Sequence, residues 1–207
     1  MLITEIRRQK GHLVGLYADG ELILSVDCDM AEEMKLQPMR DYPVDVLREL
    51  LRQSQLRRAK SKALYLLEFR DYSRRDLEKR LCKDFDEPSA LAAVDYMEEI
   101  GAINDARYAE NMIRHLVQQK HYGRRRILQE LSLKGIDREI AEESLEGFEL
   151  DETAEILELL KGKFARDLID PKGINRTIAS LTRYGYRYDD IRDALREYID
   201  HLEETYE

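Results

Sequence analysis

The stretch GAINDARYAENMIRHLVQQKHYGRRRILQELSLKGI, residues 101–136, contains two complete helix signals with their stops, and the rest of the chain can be arranged around it. Asn104 or Asp105 can cap the first helix, because either side chain accepts from a backbone N–H that the helix itself leaves unpaired. Tyr108, Met112 and Leu116 then run towards Gln119-Lys120 and a break at Tyr122-Gly123. The second helix opens on three arginines, Arg124, Arg125 and Arg126, and carries an apolar stripe of Ile127, Leu128, Leu131 and Leu133. Lys134-Gly135 reads as its stop, with glycine supplying the left-handed residue and lysine meeting the negative helix end.

Composition fits a helical chain. The 207 residues are 43% hydrophobic and 37% charged, with only 10 Gly and 4 Pro to build loops. That mixture suits helices with one apolar and one solvated face. The net charge of −9 excludes a protein that coats nucleic acid indiscriminately. The charge is unevenly spread: residues 57–134 hold 17 basic against 13 acidic side chains, a balance of +4, whereas residues 135–170 hold 4 against 12, a balance of −8. Cys28 and Cys82 have no CxxC spacing, no signal peptide precedes them, and no apolar run reaches membrane-spanning length. The expectation is a reduced cytoplasmic protein that keeps off membranes, with two structural thiols.

The first forty residues differ in kind. Leu2–Ile6, His12–Ala18 and Glu21–Val26 read as short strands, and Asp19-Gly20 is a type I′ hairpin signal. Asp29 is expected to cap a short helix through Met34 to Leu36 that stops before Pro38, and Pro43 to occupy the first turn of the helix after it. An isolated hairpin is marginal in water, so this unit should dock on a helix or pair with another chain.

Beyond Pro43 the chain reads as helical, with breaks near Arg70–Tyr72, Asp86–Pro88, Gly101, Tyr122-Gly123, Gly135, Phe148–Asp151, Asp170-Pro171 and Tyr184-Gly185. Tyr72–Leu81 lies over Tyr122–Leu131 and Lys172–Leu181, so the repeat offset is 122 − 72 = 50 and 172 − 122 = 50. The fold expected is mainly α: tandem three-helix repeats forming an elongated array behind a small N-terminal antiparallel β-hairpin unit. The divisions are 1–42 for the hairpin unit, 43–104 for a linking helix and first repeat, 105–150 for the second repeat and 151–207 for the third.

Little in the sequence points to catalysis. His12, His115, His121 and His201 lack the spacing of a helical metal site, and adjacent acidic pairs such as Glu98-Glu99 and Glu142-Glu143 point about 100° apart on a helix. No phosphate-cradling glycine loop or nucleophile motif is present. The expectation is a protein without enzymatic activity, metal, cofactor or small-molecule substrate. The basic residues remain. Arg57, Arg58, Lys60 and Lys62 open the first repeat, Arg74, Arg75, Lys79, Arg80 and Lys83 mark its second helix, and Lys120, His121 and Arg124–Arg126 occupy the matching place in the second. Arginine forks at helix starts suit phosphates or carboxylates.

Gly101–Ala109, Tyr122-Gly123, Arg126-Ile127, Glu130-Leu131 and Lys134–Ile136 together resemble the central signature of the RecX family of bacterial recombination regulators. Ala59, Ala63-Leu64, Arg70, Ser73, Leu77 and Leu81 resemble the pattern of that family's first repeat, and the hairpin resembles the extension of some members. The resemblance implies tandem three-helix repeats and a modulator, usually an inhibitor, of the RecA recombinase. Such a protein binds along the groove of the RecA filament on DNA, reduces ATP hydrolysis and strand exchange, and has no catalytic residues. On that expectation Arg74, Arg75, Lys79, Arg124, Arg125, Arg126 and Lys134 are the contact residues of a monomer whose basic middle faces acidic RecA surface or the DNA backbone. A DNA-binding protein with helix-turn-helix-like repeats is the alternative.

Overall fold

The computed structural model describes the backbone of residues 1–206 and the side chains of residues 1–200. Two compact units divide at Ile103/Asn104.

The first unit begins with a meander of β2 (Glu5–Gln9), β3 (Leu13–Ala18) and β4 (Glu21–Asp27) in the order β2-β3-β4. Asp19 (φ +50°) and Gly20 (φ +85°) make the tight link between β3 and β4 with both central residues left-handed, as a type I′ turn demands. The strand expected over residues 2–6 is instead two. Leu2–Ile3 (β1) leaves the meander to pair with Arg40–Asp41 (β5), a strand of two residues between prolines that carries no alternation to read. Helix α1 (Cys28–Glu33) also corrects an expectation, since Asp27, not Asp29, caps it by accepting from Asp29 N–H at 3.0 Å. It stops at Glu33, with Lys35 left-handed at φ +51°. Pro43 is the N-cap of helix α2 (Val44–Leu67) rather than a first-turn residue.

Helix α2 explains how the sheet is held. Leu47 and Leu50 join Ile3, Val14, Leu16, Val26 and Met30 in one core, and Ser54 Oγ accepts from Asp27 N–H at 2.7 Å. Nine residues beyond Leu50, at ~100° each, the helix has turned its buried side by about 180°. Ala59 and Ala63 therefore face a different core, formed with Leu77 and Leu81 of α3 (Arg74–Leu81) and Ala90, Ala93, Val94 and Met97 of α4 (Glu87–Glu99). The hairpin unit thus docks on a helix of its own chain, and one helix serves two cores on opposite sides.

The second unit holds two further three-helix repeats, each with its own core. The first comprises α5 (Asp105–Lys120), α6 (Arg124–Leu133) and α7 (Arg138–Glu146), which bury Ala109, Ile113, Leu116, Val117, Ile127, Leu131, Ala141 and Leu145. Tyr108, Met112 and Leu128 are only partly buried, and Leu133 is 65% exposed, so the apolar stripes of α5 and α6 are rotated from the sequence reading. The second comprises α8 (Glu152–Lys161), a 3-10 turn at Asp167–Ile169, α9 (Pro171–Tyr184) and α10 (Tyr188–Tyr206). The offset of fifty survives in burial: Leu77, Ile127 and Thr177 fill one slot, and Leu81, Leu131 and Leu181 the next.

Candidate interaction surface

Each repeat places the start of its middle helix beside the break that follows its first helix. In α3, Ser73 Oγ accepts from Asp76 N–H at 3.1 Å and fixes the helix start. Arg74 then reaches α4, where Asp95 and Glu98 both hold its guanidinium. Those carboxylates favour its charged form and raise its pKa, with the Asp95 hydrogen bond first among the causes. Arg75 and Lys79, four residues apart and so on one face, are exposed and have no ion-pair partner among the described residues. Arg80 is tied to Asp84 at 2.9 Å.

The second repeat treats its arginines in the same graded way. Arg124 N–H donates to Glu152 Oε1 at 2.8 Å, and its guanidinium lies 3.8 Å from Glu146. Arg126 pairs with Glu130 at 2.5 Å, donates to Gln129 at 3.1 Å and lies over the Tyr122 ring. Arg125 is exposed with no partner among the described residues. Lys134 is the half-buried C-cap of α6, ahead of Gly135 at φ +77°. Of the seven residues singled out in the sequence, Arg75, Lys79 and Arg125 therefore present free charge, whereas Arg74 and Arg126 are held by neighbouring carboxylates.

What sequence reasoning missed is the seam that sets the arginine helix. His121, a non-glycine residue at φ +53°, ends α5, and its carbonyl accepts from the Tyr186 hydroxyl at 2.9 Å. His121 Nδ1 lies 3.1 Å from Glu155 Oε2. Tyr186 is fully buried, and burial followed by the nearby carboxylates Glu155 and Glu152 drives its phenol far above the ordinary value, keeping the donor proton in place. Gly123 N–H donates to Tyr184 O at 2.8 Å, and a Cβ on Gly123 would come within 2.7 Å of the Tyr186 ring. Gly185, at φ +99°, answers from the other side, where a Cβ would approach Arg126 N to 2.4 Å. The two glycines mark a backbone approach that no side chain fits.

The remaining titratable groups offer little chemistry. His12, Asp27 and Asp29 bring ligand-type atoms within 4.8 Å of one another. Asp27 is committed to capping α1, however, and Asp29 to His12 at 2.9 Å and Arg57 at 3.1 Å, so the cluster reads as a cap and an ion pair. His201 lies outside the described side chains. Cys28 is buried and Cys82 exposed, both unpaired. Among the described residues, no helix is long and apolar enough to cross a membrane.

Three-helix repeats, each with its own core and with exposed cations on its middle helix, define a helical-repeat protein. The comparisons with known proteins agree. Residues 104–145 match the family described as RecX, second three-helix domain. The chain is 33% identical to the regulatory protein RecX of Vibrio parahaemolyticus serotype O3:K6 over 150 residues, covering 70% of this chain and 94% of that one. It is 27% identical to that of Clostridioides difficile (strain 630) over 205 residues, covering 96% of each. Among solved structures, RecX from Lactobacillus salivarius matches with a TM-score of 0.63 at 26% identity, over 70% of this chain and 96% of that one. The chain belongs to the RecX family, a family of regulatory proteins rather than enzymes.

Proposed function

We propose that this chain is an inhibitor of the RecA recombinase, binding as a monomer to the RecA–DNA filament and reducing ATP hydrolysis and strand exchange. The observation that carries the reading is the pattern of charge along the middle helices α3 and α6. In a chain of net charge −9, Arg75, Lys79 and Arg125 stay exposed and unpaired among the described residues, while the arginines beside them are neutralised internally. An uncommitted guanidinium offers five donors to a carboxylate or phosphate at no loss of an internal pair. Arg74 stands beside Arg75 at the start of α3, and Arg124 and Arg126 flank Arg125 at the start of α6, with Lys134 at that helix's end; the DNA backbone is the second anion within the filament that such cations would meet.

The test is RecA's DNA-dependent ATPase with added protein. Replacing Arg124, Arg125 and Arg126 together by Ala should weaken inhibition by about tenfold or more, since truncated charge contacts at an interface commonly cost that much. Arg125→Ala should account for most of the loss, and Arg126→Ala for little of it. Unchanged inhibition by the triple variant would remove the arginine cluster from the mechanism. Co-sedimentation with DNA alone is the control, and salt-sensitive binding there would favour a DNA-binding protein instead.

A further inference from the structure

The first and third helices of a repeat leave a groove between them, and it recurs at the same offset. In the first repeat it has a volume of about 370 Å³ and is lined by Leu56, Arg57, Lys60, Leu64 and Tyr96, with Gln53 and Ser61 at its edge. In the second it has about 340 Å³ and is lined by Ala106, Glu110, Arg114 and residues of α7. The positions correspond, as 106 − 56, 110 − 60 and 114 − 64 all equal 50. The groove itself is thus a by-product of the repeat, but its lining is not. Leu56 becomes Ala106, Lys60 becomes Glu110 and Leu64 becomes Arg114, so the fold does not require the apolar, cationic lining of the first repeat.

The outer face of α2 extends this lining. The side of α2 that buries Leu47 and Ser54 under the sheet continues past the sheet as Ser61 and Tyr65, open to solvent, and the exposed Phe69 follows in the turn beyond the helix end. Leu64 is 45% exposed, Tyr65 52% and Phe69 70%. The two rings pack edge to face at 4.9 Å, Lys62 lies over Tyr65 at 5.0 Å, and Lys60 Nζ sits 3.7 Å over Tyr96. Neither lysine has a carboxylate partner among the described residues, whereas Arg57 is already paired with Asp29 and Glu33. Aromatic and aliphatic side chains around a concavity, rimmed by charge, match the composition of protein interface centres.

We propose that the α2–α4 groove docks an acidic amphipathic segment of a partner protein, which seats a large apolar side chain against Leu56, Leu64 and Tyr96 and sets a carboxylate on Lys60. Charge decides the class of partner. Lys60, with no carboxylate partner among the described residues, matches a single carboxylate, and Arg57 at the same rim is already held by Asp29 and Glu33, so the groove offers no track of free cations for a chain of phosphates. The one ring in the groove lining, Tyr96, is already covered by Lys60 Nζ, which leaves a base no open ring face in the groove on which to stack. This reading does not depend on what the arginines of α3 and α6 bind.

The test uses the full chain and fluorescence anisotropy with a labelled helical peptide of about 14 residues, carrying Leu and Phe at i, i+3, i+4 and i+7 and glutamate on its flanks. Saturable binding is expected, weakened about tenfold or more by Leu64→Glu, and unaffected by Arg114→Glu in the matching groove. Lys60→Glu should lose the glutamate peptide and gain its lysine counterpart, a swap that misfolding cannot imitate. Urea midpoints equal to wild type confirm that the exposed substitutions leave the fold intact. The proposal is overturned if the glutamate peptide fails to bind or binds the Leu64→Glu variant equally well. It is also overturned if a single-stranded oligonucleotide, or a second copy of the chain seen by sedimentation, proves to be the occupant that Leu64→Glu displaces.

Discussion

The starts of α3 and α6 occupy the same slot of successive repeats, fifty residues apart, and are fixed by opposite means. In α3 the residue at the cap is Ser73, whose hydroxyl accepts from Asp76 N–H within its own helix. In α6 it is Gly123, which has no side chain to cap with. The orphan donors of that helix are met instead by the following repeat, with Glu152 taking Arg124 N–H and Tyr184 O taking Gly123 N–H. One start is written locally, and the other exists only once two repeats have packed. The difference shows that equivalent positions in a repeat need not share a physical role, and that the arginine helix of the second repeat is aimed by its neighbour.

The most direct way to break this comparison is to exchange the two residue types. Gly123→Ala puts a Cβ 2.7 Å from the Tyr186 ring and 2.9 Å from the Gly185 carbonyl carbon, neither of which is free to move. It should cost about 3 kcal/mol, seen as a lower urea midpoint, as expected of overpacking. The reverse change, Ser73→Gly, removes the hydroxyl that caps α3, and loss of that cap should cost a few tenths of a kcal/mol. Equal losses at the two sites would mean that the slot has one role after all.

Tyr186→Phe sharpens the same contrast at a smaller scale. It keeps the packing of a fully buried ring and deletes the hydroxyl that donates to His121 O. The half-buried left-handed turn at His121 would lose its brace at a cost of about 1 kcal/mol. Hydrogen exchange should show the effect in residues 121–126 before it appears in α5. Uniform loosening of the whole second unit would instead make Tyr186 a general core residue.

These contacts also explain which parts of the molecule were legible in sequence. Asn104 was readable as a cap because its partner, Arg107 N–H at 2.9 Å, lies three residues away. Asp19-Gly20 was readable because a two-residue turn contains its whole reason. The repeat was readable through Leu81, Leu131 and Leu181, which recur at a fixed spacing. β5 was not, because its pairing depends on Leu2 and Ile3 about forty residues earlier. The role of Asp27 was hidden because a strand and a helix meet there without a break, which left Asp29 as the apparent cap. Gly123 was read as the break before the arginine helix, and it stands there as the N-cap of α6, but its close approach to Tyr186 lies sixty-three residues away, since 186 − 123 = 63. The arginines were all visible, yet which of them are free depends on carboxylates such as Asp95 and Glu98 on another helix.

The smallest expected effect concerns those arginines, and it separates position from availability. Arg74 and Arg125 stand at successive places on α3 and α6, 74 + 50 being 124, one residue short of Arg125. Arg74 is 35% exposed and bridges α3 to two carboxylates of α4, so Arg74→Ala frees Asp95 and Glu98 and should lower stability by about 0.5 to 1 kcal/mol, an effect that added salt reduces. Arg125→Ala breaks no ion pair among the described residues and should leave the urea midpoint within about 0.5 kcal/mol of wild type. In the ATPase assay the ranking should invert, with Arg125→Ala impairing inhibition and Arg74→Ala sparing most of it. An Arg74 variant of normal stability that abolished inhibition would show that the guanidinium leaves its carboxylates for the partner, and free charge would then no longer mark the contact residues.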